Sequence, residues 1–289
     1  MRKLSLLLIV LLFYSCQKNK EDQYFDAIEN NDVKLMPPAE GEWLYSHKEK
    51  GQSFESFLKS KHVIPKKDSN IIYIKPIGNF TALQTKQIEL TKQYLEIYFQ
   101  LKTEVLPRSS NDIIPEEFRR IGNENQEQFL AGYILDSVMK KERTLNKIAL
   151  MGLTEIDLYP KPEWNFVFGL ASYTQKVGVS SIYRLNDEKL TDANFNLGLS
   201  RLLKICSHEI GHMFGLHHCI EVNCVMNGTN SLSETDTKQI RLCSVCQRKL
   251  NSSIKYDNKK RLIALEKYFQ SNNLTEELKL MKNDLERVQ

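Results

Sequence analysis

His208-Glu209-Ile210-Gly211-His212-Met213-Phe214-Gly215-Leu216-His217-His218 is the stretch that decides how this chain is read. On a helix, His208 and His212 lie one turn apart on one face, so both imidazoles reach one zinc ion at about 2.0–2.1 Å while Glu209 stands beside it. Gly215 ends the helix. A glycine there takes the left-handed conformation that turns the chain back, and three residues later His218 arrives as a third ligand. Three histidines leave the fourth zinc position open, the arrangement of a catalytic site. Zinc supplies Lewis acidity, and Glu209 is placed to take a proton from an attacking water and return it to a leaving amine, the chemistry of peptide-bond hydrolysis. A helix with scattered histidines is the competing reading. It fails on clustering, because four of the six histidines fall within these eleven residues. His217 does not fit the ligand spacing and is assigned to the rim of the site.

Cys219, Cys224, Cys243 and Cys246 follow at once, in the pattern His-Cys-x4-Cys-x-Met and then Cys-x-x-Cys. Four thiolates so spaced read as a closed, structural zinc site. The long histidine motif running directly into four cysteines resembles the archaemetzincins, a family of the metzincin metallopeptidases. The resemblance is densest over residues 207–250 and extends to the blocks 153–159, 165–171 and 179–185. It implies an α/β (α+β) fold: a metzincin-like zincin domain with a twisted mixed sheet, an antiparallel edge strand, an active-site helix and a four-cysteine zinc site. It also implies His208, His212 and His218 as catalytic zinc ligands, Glu209 as general base, and Cys219, Cys224, Cys243 and Cys246 as ligands of a second zinc. Met226 is implied as the Met-turn residue, a soft apolar floor beneath the imidazoles. Because Cys219 is covalently next to His218, a rigid cysteine site also steadies the third histidine.

Two rival readings of the cysteines stand beside this one. A nucleic-acid-binding zinc ribbon is disfavoured, since the surroundings lack strong basicity and interleaved aromatics, and no nucleic-acid partner is expected. A pair of disulfides is the stronger rival because of the N-terminus. Met1-Arg2-Lys3 precedes the apolar run 4–14 and then Ser15-Cys16, which reads as a signal peptide too short to span a membrane. A small residue before Cys16 resembles the bacterial lipobox, although Tyr14 departs from it, and implies lipid on Cys16. The expected location is the bacterial cell envelope, lipid-anchored on the periplasmic side or cell surface, with the cytoplasm as the alternative. An oxidising compartment favours disulfides, whereas zinc bound during folding protects the thiols. Cys206 is left over, on the apolar stripe of the motif helix, and reads as a buried free thiol.

The rest of the chain sets the frame. Its 289 residues with 41% apolar content suffice for a substantial core, and the net charge of +4 compels no anionic partner. The expected organisation is a signal peptide over 1–15, a lipid-proximal tether and N-terminal segment over 16–69, a catalytic domain over 70–250 and a helical extension over 251–289. Within the second part, 17–42 reads as polar tether. A buried strand is expected over 71–74, helices over 82–101 and 125–139, a short apolar run over 147–152, and strands over 166–173 and 177–184. The resemblance makes 166–173 the edge that pairs with extended substrate backbone. The motif helix is expected to start after Thr191 or Asp192, with Phe195, Leu199, Leu202, Cys206, Ile210 and Met213 as its buried stripe. Helices over 259–269 and 274–285 pack on the domain or bind a partner. The function expected is a zinc metallopeptidase acting on peptide or protein, with two zinc ions; the alternative is a catalytically weak, zinc-stabilised binding lipoprotein. Glu209 argues against the alternative, because a structural zinc needs no base. The family includes aminopeptidase-like vertebrate members, yet no acidic anchor for a substrate amino group is visible in the sequence.

Overall fold

The computed structural model describes residues 20–142, 146–186 and 189–288, so Cys16 and the apolar leader lie outside the described residues. Among the described residues three helices precede the sheet: α1 (Lys20–Glu29), α2 (Trp43–Ser46) and α3 (Phe54–Lys59). The tether expected over 17–42 is corrected here from Lys20 onward. Tyr24, Phe25 and Ile28 share one face of α1 and are buried, a short apolar stripe that the surrounding charges hide in a composition-based reading. The segment is tied down by Arg241, whose buried guanidinium donates to Asp32, Asp284 and the Ile28 carbonyl.

The main sheet begins with β1 (Ser69–Ile77), whose second half is buried on both faces, as a central strand requires. The chain then enters α4 (Ala82–Phe99), started by a capping box in which Thr81 and Gln84 satisfy each other's backbone N–H. Its face of Ile88, Thr91, Leu95 and Tyr98 is buried, as the helical spacing predicts. β2 (Thr103–Val105) returns beside β1. A smaller sheet follows, built from β3 (Arg119–Ile121), β4 (Glu127–Leu130) and, further on, β6 (Asp157–Tyr159). The helix expected over 125–139 is corrected accordingly. Its first third is β4, because Gln126 and Gln128 both donate to the buried carboxylate of Asp157, and only α5 (Ala131–Tyr133) and a wide turn over Ile134–Met139 are helical.

β5 (Asn146–Thr154) lies parallel to β1, β8 (Val177–Ser181) lies parallel to β5, and β7 (Gly169–Ser172) closes the edge antiparallel to β8. The order β2-β1-β5-β8-β7 is thus a mixed sheet with an antiparallel edge strand. Both edge-hairpin strands are shorter than the apolar runs suggest. Phe166 and Phe168 are spent on packing against each other and the core before pairing begins, and the chain after Ser181 turns into a 3-10 turn at Tyr183–Leu185.

Across the sheet lies α6 (Phe195–Met213), with all six stripe residues buried. It starts later than Thr191 or Asp192, because Asn194 folds back to accept the Thr191 N–H at 2.8 Å and holds 191–194 as a turn. α7 (Leu232–Thr237) and α8 (Ser244–Ile254) follow. The last two helices, α9 (Asn258–Ser271) and α10 (Thr275–Arg287), pack inward: Leu262, Leu265 and Phe269 bury against α4, and Met281 joins the same core. Among the described residues no helix is long and apolar enough to cross a membrane.

Candidate active site

The last two turns of α6 carry His208, Glu209 and His212, and Gly215, at φ +97°, reverses the chain in the left-handed region open to glycine. The loop beyond it brings His218 back. The three histidines gather so that one ring nitrogen from each lies within 4.8 Å of the others. Each ring is oriented through its other nitrogen. His208 Nδ1 donates to the Val225 carbonyl at 2.8 Å, His212 Nδ1 to the Leu216 carbonyl at 2.7 Å, and His218 Nδ1 to the Glu49 carboxylate at 2.8 Å. With the proton fixed on Nδ1 by these acceptors, every Nε2 presents a bare lone pair. The Nε2 atoms of His208 and His212 face each other at 2.9 Å. Two lone pairs so close repel, and a shared cation turns that repulsion into ligation; around tetrahedral zinc the spacing is about 3.4 Å. The donor set therefore fits zinc. His217 is exposed, at the rim.

Electrostatics agree with that geometry. Burial, aided by the neighbouring His218, pushes the His208 imidazole down to about 3, and burial with His208 holds His212 well below its ordinary value. Both rings are neutral at physiological pH, as metal ligands must be. Burial raises the Glu209 carboxyl to about 8. The carboxylate lies against the edge strand so closely that a Cβ built on Gly169 falls 2.6 Å from Glu209 Oε1. Glycine at 169 is what lets the Glu209 carboxylate stand between helix and strand. Met226 is fully buried with its sulfur against Gly211, in the turn of α6 between His208 and His212.

The thiols of Cys219, Cys224, Cys243 and Cys246 converge within 4.8 Å as well. Cys219 and Cys243 Sγ are 3.9 Å apart, matching the edge of about 3.8 Å that a tetrahedron of 2.3 Å zinc–sulfur bonds has. None of the described cysteines is in a disulfide, and Cys206 is a buried free thiol whose ionisation burial pushes up. Backbone N–H groups of Met226 and Cys243 point at Cys224 Sγ, and that of Cys246 at Cys243 Sγ. Hydrogen bonds from Cys224, Cys243 and Cys246 hold Cys219 well below the usual thiol range. Burial first, and then Cys219 and Cys243, push Cys224 up. This donor set also fits zinc, with three of its four cysteines buried. Asn227 ties the 219–224 loop together, accepting from Cys224 N–H and donating to the Cys219 and Val222 carbonyls.

Several residues escape a reading of the sequence. Glu49 is one: it lies 169 positions before His218, accepts from its Nδ1, and also takes the Trp43 Nε1–H at 3.1 Å. Trp43 stacks on His47 at 3.8 Å and meets His218 edge-on. No local motif marks either one. Arg120 is another, stacked 3.9 Å over Tyr159 and donating to the Pro162, Trp164 and Asn165 carbonyls, so that it holds the loop leading into β7. Tyr173, just past that strand, sits with its hydroxyl 3.0 Å from His212 Nδ1, and burial with the nearby Glu209 and Glu49 raises it to about 12. A cleft of roughly 750 Å³ runs between β7, the 160–168 loop, α2 and α6, with His208, Glu209, His212 and His218 in its wall.

A mixed sheet with an antiparallel edge, a helix bearing two histidines and a buried carboxylate, and a turn that returns a third histidine define a zincin-type metallopeptidase. Residues 125–252 match the model of Peptidase family M54. Archaemetzincin-2 of Rattus norvegicus is 32% identical over 283 residues, which cover 86% of this chain and 78% of the relative. The archaemetzincin of Thermococcus kodakarensis is 34% identical over 181 residues, 62% of this chain and 95% of the relative. The crystal structure of the archaemetzincin from Methanopyrus kandleri superposes with a TM-score of 0.54 at 28% identity, covering 66% of this chain and 98% of that one. The chain belongs to the archaemetzincin family and is a zinc metallopeptidase.

Proposed function

We propose that His208, His212 and His218 hold the catalytic zinc, that Glu209 is the general base, and that Cys219, Cys224, Cys243 and Cys246 hold a second, structural zinc. The observation that carries the reading is the spending of all three Nδ1 protons on fixed acceptors, which leaves three Nε2 lone pairs converging beside a buried carboxylate. When bound, zinc supplies Lewis acidity toward the scissile carbonyl and the attacking water. Glu209 takes the proton of that water and delivers it to the leaving nitrogen. β7, an edge strand lining the cleft, offers backbone groups to an extended peptide added as a further strand. Met226 acts as the floor under the ligands. The binding-lipoprotein alternative is not favoured, since it gives Glu209 no task.

Zinc analysis of the mature protein is expected to return two ions per chain; one ion with no free thiols among the four cysteines establishes disulfides instead. Incubating the zinc-loaded protein with a diverse peptide library, with Glu209→Ala alongside, gives cut positions that separate terminal from internal attack. From residues 1–16 we also propose a lipid on Cys16 and a place on the bacterial cell envelope. Labelled palmitate is then incorporated by the wild type and not by Cys16→Ser, and equal labelling rejects the anchor.

A further inference from the structure

Along α6 the residues that face the cleft are Lys204, Ile205, His208, Glu209 and His212, so the cleft continues one helical turn beyond the first histidine and ends over Lys204. Lys204 Nζ has one hydrogen-bond partner, the Thr235 carbonyl at a long 3.3 Å. The carboxylates nearest to it have other partners: Asp236 is held by two bonds from Arg201, and Glu277 by Ser200. Lys238 lines the same end, and the only carboxylates among the described residues lining the cleft are Glu209 and Glu163. Burial draws the Lys204 ammonium below its ordinary pKa, with Glu277 and Asp236 opposing. An ammonium withdrawn from water, aimed into a cavity and short of acceptors is a site for an incoming anion.

The strand fixes which part of a substrate reaches it. Gly169 lies against Glu209 and Tyr173 against His212, so the strand and the helix advance in the same direction along the cleft. A peptide added antiparallel to β7 runs from the Tyr173 end toward the Gly169 end, which carries the residues after the scissile bond toward Lys204. We propose that Lys204 makes this peptidase select a carboxylate immediately after the cleaved bond, either an acidic side chain or the C-terminal carboxylate of the chain. Lys204 acts by binding substrate, in a step separate from proton transfer by Glu209.

The inference rests on the peptidase reading, and binding tests it without turnover. The probes are zinc-chelating peptide hydroxamates whose first residue after the chelating group is Glu, Gln or Leu, all amidated, plus a Leu probe with a free carboxyl, titrated by calorimetry into zinc-loaded protein. The wild type is expected to bind the Glu probe or the free-carboxyl probe at least tenfold more tightly than the Gln and amidated Leu probes, and whichever gains identifies the source of the carboxylate. Lys204→Met should erase the gain while still binding amidated Leu, which shows that the variant is folded, and Lys204→Arg should restore it. Equal binding of all four probes, or a preference that survives Lys204→Met, overturns the proposal and leaves the peptidase reading standing. Failure of every probe to bind overturns both.

Discussion

Each of the three histidines proposed to hold the catalytic zinc has its Nδ1 on a fixed acceptor, and the least foreseeable of these is Glu49. Replacing it by glutamine keeps the shape but removes the charge that makes His218 a better donor to metal. Loss of such a supporting carboxylate typically lowers metal affinity 10- to 100-fold, so Glu49→Gln should show that weakening in chelator competition while its four-cysteine site keeps its zinc. Unchanged affinity would mean that His218 is oriented by the backbone alone. Gly169 makes a different prediction. A methyl group there falls 2.6 Å from Glu209 Oε1, and as close to Ser180 Oγ, and forces the carboxylate to shift, so Gly169→Ala should lower kcat at least tenfold with zinc content unchanged, whereas a merely packed glycine would alter stability and leave kcat as it was. The gathering of the three histidines was legible in the sequence, because helix pitch sets the spacing of His208 and His212 and a glycine turn sets that of His218. Glu49, Trp43, Arg120 and Tyr173 were not, because they meet the site only through tertiary folding.

At the scale of elements, the cysteine cluster binds the 219–224 loop to the start of α8, and Cys219 is the neighbour of His218. Removing two thiolates by Cys243→Ser with Cys246→Ser should therefore release one zinc, lower the unfolding temperature and weaken the remaining site; a variant with full catalytic zinc affinity would show the two centres to be independent. The Arg241 network is the other tie. Its guanidinium is 2% exposed and held between Asp32 and Asp284; burial alone would lower its pKa, and the two carboxylates more than reverse that. Breaking one side of a buried pair costs about 3–5 kcal/mol, so Asp284→Ala should destabilise by that amount in denaturant titration, with zinc content preserved. The stripes of α4 and α6 were readable from apolar periodicity. β4 and α1 were not: β4 is a strand because Asp157 recruits its glutamines, and α1 is a packed helix because α8 offers it a surface.

Across the whole molecule, two clusters able to hold a metal, of opposite character, sit on one scaffold: three histidines opening on a cleft and four cysteines, three of them buried. Chelator should act in two stages. The open site exchanges first, with loss of activity and little change in fold; the closed site follows, with loss of structure seen by circular dichroism. Simultaneous loss of both signals would contradict the separation. In the function proposed above, the cleft centre cleaves peptide bonds with Glu209 as its base. The direct measurement is the cleavage rate of one susceptible peptide by wild type and by Glu209→Gln, each at the same measured zinc content. The variant is expected to lose roughly a hundred- to ten-thousand-fold in kcat; comparable rates at equal zinc would rule out Glu209 as the base.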